Sequence, residues 1–509
     1  MRALLASVRT RILAVLGAVG MYRLVLFALM LLAGIAFAVS FTGRIVATPA
    51  SLALSALVLL VSVGVVDVIG HAIIRRPLRL ESGAITALIL LFVLFPTTDP
   101  AGLAVLALAG GAASASKFVL APWGRHLLNP AAFGAAVVTV TGLGSSMWWI
   151  GTPQLAIAVL VLGLVVVWRA EKLRIALLFM AVAIVVGATR GLITAAQFGL
   201  SQTPGQIIWT AVASSPVLFA GLFMITEPLT LPPRRRDQII VAVVAGALAG
   251  WPFALGPFVM FPEVAILVGN LLAFALAFRV RRGARLTLAA RRRVTPSIEE
   301  LVLHATAPVS FAPGQYVELE VPHRRSDARG TRREFSIVSR PGEDIRIAYR
   351  VPDGRQSSFK TALGALREGA RVSTTGVHGD FTLPADDAPV LLVAAGIGVT
   401  PFVSQLRSEP ARDAVLLYVV SSVTELAYAD ELATTGARVI VVARDASPET
   451  VPAGWEAVTE RLTAASLPSV VGDLSARHAM ISGPPRLIAE LAPALSDARS
   501  VRTDAFAGY

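Results

Sequence analysis

A succession of apolar runs, too many and too long for a water-soluble core, fills roughly the first 280 residues of the chain. A helix needs about 20 apolar residues to cross the hydrocarbon of a bilayer. Segments of that character lie near 24–41, 52–73, 83–96, 101–115, 130–149, 153–168, 175–189, 206–226, 238–256 and 262–279. They predict an all-α polytopic membrane domain of about ten helices over residues 1–282. The first run starts near Leu24 and many follow, so it reads as a first span and not as a cleaved leader. Over all 509 residues, 55% are apolar and only 15% are charged, whereas a soluble protein carries about 25% charged residues.

Charge placement sets an orientation. With the N-terminus inside, the inner side carries Arg2, Arg9, Arg11, Arg23, Arg75, Arg76 and Arg79. It also carries Lys117, Arg125, Arg169, Lys172, Arg174, Arg234, Arg235 and Arg236. The outer loops carry only Arg44 and Arg190. Short cytoplasmic loops hold such an excess of lysine and arginine. An even number of spans then returns the chain to the cytoplasm before Arg281 and Arg282, which places both termini there in a multi-pass cell-membrane protein. The net charge of +12 belongs to these loop ends and not to a nucleic-acid-binding face. The absence of cysteine excludes disulfides, thiolate metal sites and cysteine-ligated iron–sulfur clusters.

Two runs end alike, at Thr98-Asp99-Pro100 and at Thr226-Glu227-Pro228, and each is followed later by a helix expected to carry an asparagine near its start, Asn129 or Asn270. Five spans separate the members of each pair, so the two copies are expected in opposite orientations, as an inverted repeat with a binding site where the half-helices meet. Asp67 and His71 are four residues apart, one helical turn, and can touch.

On ESGAITALILLFVLFPTTDP, GRHLLNPAAFG, GLFMITEPLTLPP and PEVAILVGNLLA, residues 50–280 resemble the B subunit of the sodium-pumping NADH:quinone reductase and the D subunit of the Rnf complex. The resemblance implies a ten-helix electron-carrying module holding flavin. That family attaches FMN to a threonine in a long stretch after the Asn-Pro-Ala helix. Here that stretch is short, and Gly187-Ala188-Thr189 lacks the preceding residues of the motif, so covalent FMN at Thr189 is not expected. A non-covalent flavin, or another carrier, is left open.

From about Leu286 short alternating runs such as EELVLHA, YVELEVP and IRIAYRV predict an antiparallel β-barrel over 283–386. After Ala388 strands alternate with turns and helices, an α/β nucleotide-binding layout over 387–509. Arg333-Glu334-Phe335-Ser336-Ile337-Val338-Ser339 follows Pro313-Gly314-Gln315-Tyr316. An arginine in such a strand can clamp a pyrophosphate, an aromatic two residues on can stack on a flat ring, and a serine can bond the ring edge. Ala394-Ala395-Gly396-Ile397-Gly398-Val399-Thr400-Pro401 leaves a strand and opens a helix, as a phosphate-binding turn does. A second turn, Ser482-Gly483-Pro484-Pro485, follows at another strand end.

Residues 286–509 thereby resemble the ferredoxin–NADP reductase superfamily. The resemblance implies FAD held by Arg333, Phe335, Ser336, Ile337, Val338 and Ser339, with Ser358 by the pyrophosphate. It implies NAD(P)H against Gly396, Gly398, Thr400 and Pro401, with Gly483, Pro484 and Pro485 near the nicotinamide. Ser336 and the terminal Tyr509, with Phe506 beside it, are the expected catalytic contacts at the flavin. The family often has cysteine where Ser482 stands. The stretch Ser421-Ser422-Val423-Thr424-Glu425 has no arginine for a 2′-phosphate, which favours NADH. The expected function is a membrane-bound NAD(P)H-dependent FAD oxidoreductase that passes electrons into and across the membrane to an extracytoplasmic flavoprotein or a quinone. The alternatives are a channel or transporter with a regulatory reductase domain, and a membrane-anchored flavin reductase. A haem reductase is disfavoured, because only His71 and His126 lie in the membrane half, both at its inner end.

Overall fold

The structure is a computed structural model. It describes the chain apart from residues 1–20, 75–77, 79, 123–124, 171, 233, 256–257, 279–283, 324–330, 352–353, 355 and 506–509. Arg2, Arg9, Arg11, Arg75, Arg76, Arg79, Arg281 and Arg282, the expected boundary at 282, and Phe506 and Tyr509 all lie outside the described residues. The chain divides into two compact units, residues 1–279 and 280–509.

The first unit is helical: α1 (Met21–Ser40), α2 (Pro49–Ile73), α3 (Leu80–Val93), α4 (Pro100–Val119), α5 (Pro130–Val140), α6 (Pro153–Arg169), α7 (Leu173–Phe198), α8 (Pro204–Ala213), α9 (Val217–Met224), α10 (Arg235–Gly250) and α11 (Pro262–Ala277). Proline opens α2, α4, α5, α6, α8 and α11, at the position where its missing N–H and fixed φ cost nothing. Among the described residues four helices, α1, α2, α4 and α7, are long and apolar enough to cross a membrane, or five if α8 and α9 form one bent span. The apolar helices α3, α5, α6 and α11 are shorter, at 11 to 17 residues. Phe27, Met30 and Leu31 on α1 and Val61, Val65 and Ile73 on α2 are exposed, a surface matched to lipid.

Several expectations change. The run 206–226 bends by 44° between α8 and α9, where Ser214, Ser215 and Pro216 interrupt it, and most of α9 is wound as a π-helix over Ala220–Met224. The run 130–149 stops at Val140, and the rest folds back on the end of α3, with Met147 and Trp148 N–H donating to Val93 O at 3.0 and 2.8 Å. The helix expected over 175–189 continues to Phe198, so Thr189 and Arg190 are helical residues. Gly187 and Gly250 instead let α7 and α10 touch: a Cβ on Gly250 would stand 2.5 Å from Ala183 O. The Asp67 carboxylate does not meet the His71 ring, whose Nδ1 sits 2.7 Å from Asp67 O. That carboxylate turns inward, accepts from Ser114 Oγ at 2.5 Å and pairs with Lys117 Nζ at 3.3 Å, both side chains buried. Asn270 lies in the middle of α11, not near its start, and still reaches the other half: its Oδ1 accepts from Asn129 N at 2.7 Å.

The second unit has two sheets. β1 (Arg285–Thr295), β2 (Ile298–Ala305), β3 (Tyr316–Glu320), β4 (Arg332–Ser336), β5 (Ile345–Arg350) and β6 (Arg371–His378) form an antiparallel sheet in the order β4-β3-β6-β1-β2-β5. Its outer strands approach each other where Ile337 bridges Ile347. The short helix α12 (Ser358–Gly364) precedes β6. The second sheet is parallel: β7 (Val390–Ala395), β8 (Ala414–Val419), β9 (Arg438–Val442), β10 (Glu456–Val458), β11 (His478–Gly483) and β12 (Ser500–Ala505), in the order β10-β9-β8-β7-β11-β12. β7 and β8 are buried up to their last residue, the near-continuous apolar pattern of a sheet covered on both faces. The chain runs outward from β7 to β10 and then returns to β7's other side, which makes the β7–β11 boundary a topological switch point.

Candidate functional site

At that switch point the two glycine turns lie side by side. Ser482 on β11 pairs with Ala394 on β7. A Cβ on Gly398 would stand 2.3 Å from Ser482 O, and one on Gly483 would stand 2.8 Å from Ala395 Cβ, so glycine is required at both positions. Gly396 has φ +53, in the left-handed region that glycine tolerates. Gly396–Val399 form one 3-10 turn that runs into α13 (Thr400–Ser408), and no side chain caps the start of that turn. Ser482 Oγ is fully buried beneath the turn and has no hydrogen-bond partner among the described residues.

Thr400 and Pro401 are buried, and Thr400 Oγ1 donates to Ile397 O at 3.0 Å. Their part is to hold the turn's shape. One turn later α13 grips the antiparallel sheet: Ser404 Oγ donates to Ser339 O at 2.7 Å, and Gln405 Nε2 donates to Phe381 O at 2.6 Å. Ser339 is fully buried, and its Oγ accepts from Arg346 N at 3.1 Å. Ile337 and Val338 are also fully buried, and their N–H groups donate to Gln315 O and Arg346 O. These three residues register the strand against its neighbours, and their side chains face the protein interior.

The other candidates gather around β4 and α12. Arg333 is 8% exposed, and its guanidinium lies over the Phe359 ring at 5.1 Å. Phe335 stacks on the same Phe359 at 6.0 Å. Ser358 opens α12 and meets His323 Nε2 at 3.1 Å. Burial holds the Lys360 ammonium below the usual lysine value, and the charges of Arg350 and Arg333 push it the same way. Arg333 and Arg350 therefore lie close enough to Lys360 to act on its charge, and this part of the unit is electropositive. Ser336, paired with Tyr316 across the strands, sits at the end of β4. Tyr316 in turn tilts against His378 at 5.8 Å. Gly314 is fixed by geometry: its φ is +92, and a Cβ there would stand 2.1 Å from Phe381 O. Phe359, His323 and His378 were not among the residues singled out from sequence. The alternation of β6 and the Ser357 cap of α12 are the only local signals that could have placed them.

No family model matches the chain. It is 32% identical over 136 residues to the reductase subunit of an aromatic O-demethylase from Amycolatopsis sp., covering 25% of this chain and 39% of that protein. It is 33% identical over 175 residues to methane monooxygenase component C from Methylosinus trichosporium, covering 30% and 49%. It is 33% identical over 135 residues to the toluate 1,2-dioxygenase electron transfer component from Pseudomonas putida, covering 26% and 39%. The chain thus spans less than half the length of these curated relatives. Among solved structures it resembles an Amycolatopsis cytochrome P450 reductase (TM-score 0.37, 24% identity, 45% of this chain and 71% of that one). It also resembles a ferredoxin NADP+ reductase from Neisseria gonorrhoeae with bound FAD and NADP (TM-score 0.37, 18% identity, 44% and 98%). The names of these curated relatives are those of a reductase subunit, a component C and an electron transfer component.

Proposed function

We propose that the protein is a membrane-bound, NAD(P)H-dependent, FAD-containing oxidoreductase that passes reducing equivalents from the cytoplasm into its helical unit. The observation that carries this reading is the pairing of the two glycine turns at the switch point, in the same unit as the cation cluster of Arg333, Arg350 and Lys360. The residues fit the two cofactors. Gly396 supplies a left-handed φ, and Gly398 lets the turn lie directly against Ser482, whose buried hydroxyl has no partner among the described residues. Arg333 and Ser358 would hold the FAD pyrophosphate, with Phe335 and Ser336 toward the ring and Ile337, Val338 and Ser339 fixing the strand that carries them. Gly396, Gly398, Thr400 and Pro401 would shape the NAD(P)H phosphate turn, with Gly483, Pro484 and Pro485 bordering the nicotinamide. Tyr509 and Phe506 belong to the same reading as cover for the flavin. When bound, FAD takes a hydride as a pair of electrons and can release them singly.

The finer parts of the reading are these. Residues 283–386 form the FAD domain and 387–509 the NAD(P) domain, the chain crosses the membrane about ten times, and both termini are cytoplasmic. The acceptor is an extracytoplasmic flavoprotein or a quinone. The arginine-rich inner loops support the orientation, and the lipid-matched faces of α1 and α2 support insertion. The test is Arg333→Ala in the full chain. Losing charge-assisted phosphate contacts costs about 1.5–3 kcal/mol, one to two decades of FAD affinity. FAD retention equal to wild type refutes the assignment. A reporter in the 190–205 segment is expected to read as external and one after Arg285 as cytoplasmic.

A further inference from the structure

The sheet unit holds a chain of charged side chains that the cofactor contacts named above do not use. Its centre is Arg346 on β5. The main chain of Arg346 fixes the segment that follows β4: Arg346 O accepts from Val338 N at 2.8 Å, and Arg346 N donates to Ser339 Oγ at 3.1 Å. Val338 is two positions beyond Ser336. The Arg346 side chain runs out between two carboxylates. Its Nε donates at 2.9 Å to Oε2 of Glu300, on the neighbouring strand β2. Its Nη1 and Nη2 donate to Glu431 at 2.9 and 2.6 Å. Glu431 belongs to α14 (Ala429–Ala433), which follows β8 of the parallel sheet.

A second arginine closes the circuit. Arg407, near the end of α13, lies 3.2 Å from both Glu431 and Glu343, and Glu343 sits in the turn between β4 and β5. α13 is the helix into which the Gly396 turn runs. The Arg346 guanidinium also lies over the Tyr428 ring at 5.6 Å, and Tyr428 is a non-glycine residue held at φ +61 just before α14. Such a conformation costs free energy and persists only where its surroundings over-determine it. The Glu300 side chain is 1% exposed and that of Arg346 14%. Ion pairs buried this far are seldom the most stable filling of their volume, because desolvation offsets the attraction. They do fix orientation: a planar guanidinium bonded to two carboxylates narrows the placement of β2, β5 and α14 to one arrangement. Hydride transfer is sensitive to such placement. Reacting atoms must approach to about 3–3.5 Å, and a misplacement of about 1 Å costs on the order of 100-fold in rate.

We propose that Arg346 and Glu431 are positioning residues for hydride transfer: they hold the end of β4 that carries Ser336 and the glycine turn that starts α13 at one fixed separation, and they touch neither cofactor. The proposal rests on the reading that FAD is held along β4 and NAD(P)H at the glycine turns. The reaction whose rate the pair sets is NAD(P)H + H+ + FAD → NAD(P)+ + FADH2. One hydrogen and two electrons leave the nicotinamide together, and the second proton comes from solvent. The pair itself exchanges no proton and no electron.

The experiment uses the purified full-length protein in detergent, loaded with FAD and mixed without oxygen with NADH and, separately, with NADPH, while loss of the oxidised-flavin absorbance is followed. Glu431→Ala cuts the ties of Arg346 and Arg407 to α14 and leaves Arg346 with Glu300. It is expected to slow the limiting rate of flavin reduction per bound FAD about 10- to 100-fold, with FAD content and the half-saturating nucleotide concentration within about threefold of wild type. Glu431→Gln, which still accepts a hydrogen bond from Arg346, is expected to lie between Glu431→Ala and wild type. With nucleotide deuterated at the transferred position, the isotope effect is expected to depend more steeply on temperature in Glu431→Ala, because loosened halves sample longer separations. A limiting rate per bound FAD equal to wild type in Glu431→Ala overturns the proposal, and so does a loss confined to FAD content or unfolding temperature. Absence of flavin reduction in the wild type by either nucleotide overturns the reading of the cofactor sites, and the proposal with it, so the two failures are told apart by the wild type alone.

Discussion

The two Thr-acid-Pro turns of the helical unit put nearly the same three residues to different uses. Asp99 is exposed and caps its own helix, accepting from Gly102 N at 2.8 Å at the start of α4. Glu227 reaches away from its own backbone, to His126 and Asn129, which are about a hundred positions earlier in the chain. One methylene separates the two side chains. An aspartate is short enough to bond the N–H three residues on, as N-cap residues do. Pro228 opens a turn and no helix, so Glu227 has no helix start of its own to cap. The two turns therefore separate an acid that caps its own helix from an acid that ties distant segments together. A third acid, Asp67, shows the extreme case, with its charge matched only from another helix.

The contrast predicts a ranking of stability losses in the full-length protein, read as thermal unfolding in detergent. Lys117→Ala is expected to cost most, about 3–5 kcal/mol, because it strands the Asp67 carboxylate in a buried site. The double variant Asp67→Asn, Lys117→Met should recover most of that loss; no recovery would show that the pair is not one unit. Glu227→Ala comes next at about 1–3 kcal/mol, the cost of leaving the Asn129 amide and the imidazole unpaired. Asp99→Ala should cost about 1 kcal/mol, a lost helix cap. If Asp99→Ala and Glu227→Ala cost the same, the division between a capping acid and an acid that ties distant segments fails.

The smallest expected effect concerns the sheet unit, where carboxylates are matched by arginine at the surface. Glu431 bonds Arg346 at 2.6 and 2.9 Å, and Arg407 lies 3.2 Å away. Burial alone would raise its pKa, but the hydrogen bond and charge of Arg346 and the charge of Arg407 outweigh burial and hold it below the usual glutamate range. A depressed carboxylate stabilises the fold above its unfolded pKa of about 4.3 and loses that contribution as pH falls through the lower folded value. Glu431→Gln should therefore be less stable than wild type at pH 7 by no more than about 1 kcal/mol. The difference should close below about pH 4. A gap that persists in acid would assign the loss to packing instead of charge.

How much of this could be read in advance depended on how local the cause was. The apolar runs placed the helices because burial in lipid needs only composition and length. The bend between α8 and α9 was written in Ser214-Ser215-Pro216, but the length of the run around it disguised two helices as one. The turn at Gly396 and Gly398 was legible because glycine answers a backbone constraint within a few residues. The partners of Asp67, Glu227 and Arg333 were not legible. Lys117 is fifty positions from Asp67, and Phe359 meets Arg333 only once α12 packs on β4. Asp67 and His71 show the same limit in reverse, since correct helical spacing did not make their side chains partners.

Both compact units belong to one polypeptide, and that bears on kinetics more than on shape. The curated relatives are named as a reductase subunit, a component C and an electron transfer component. Two modules joined in one chain meet at an effective concentration on the order of millimolar, whatever the protein's abundance. On the proposed function, delivery of electrons to the helical unit would be first order in enzyme. The turnover of each molecule would stay constant on dilution into vesicles, and a separately added soluble reductase would compete poorly with the tethered one.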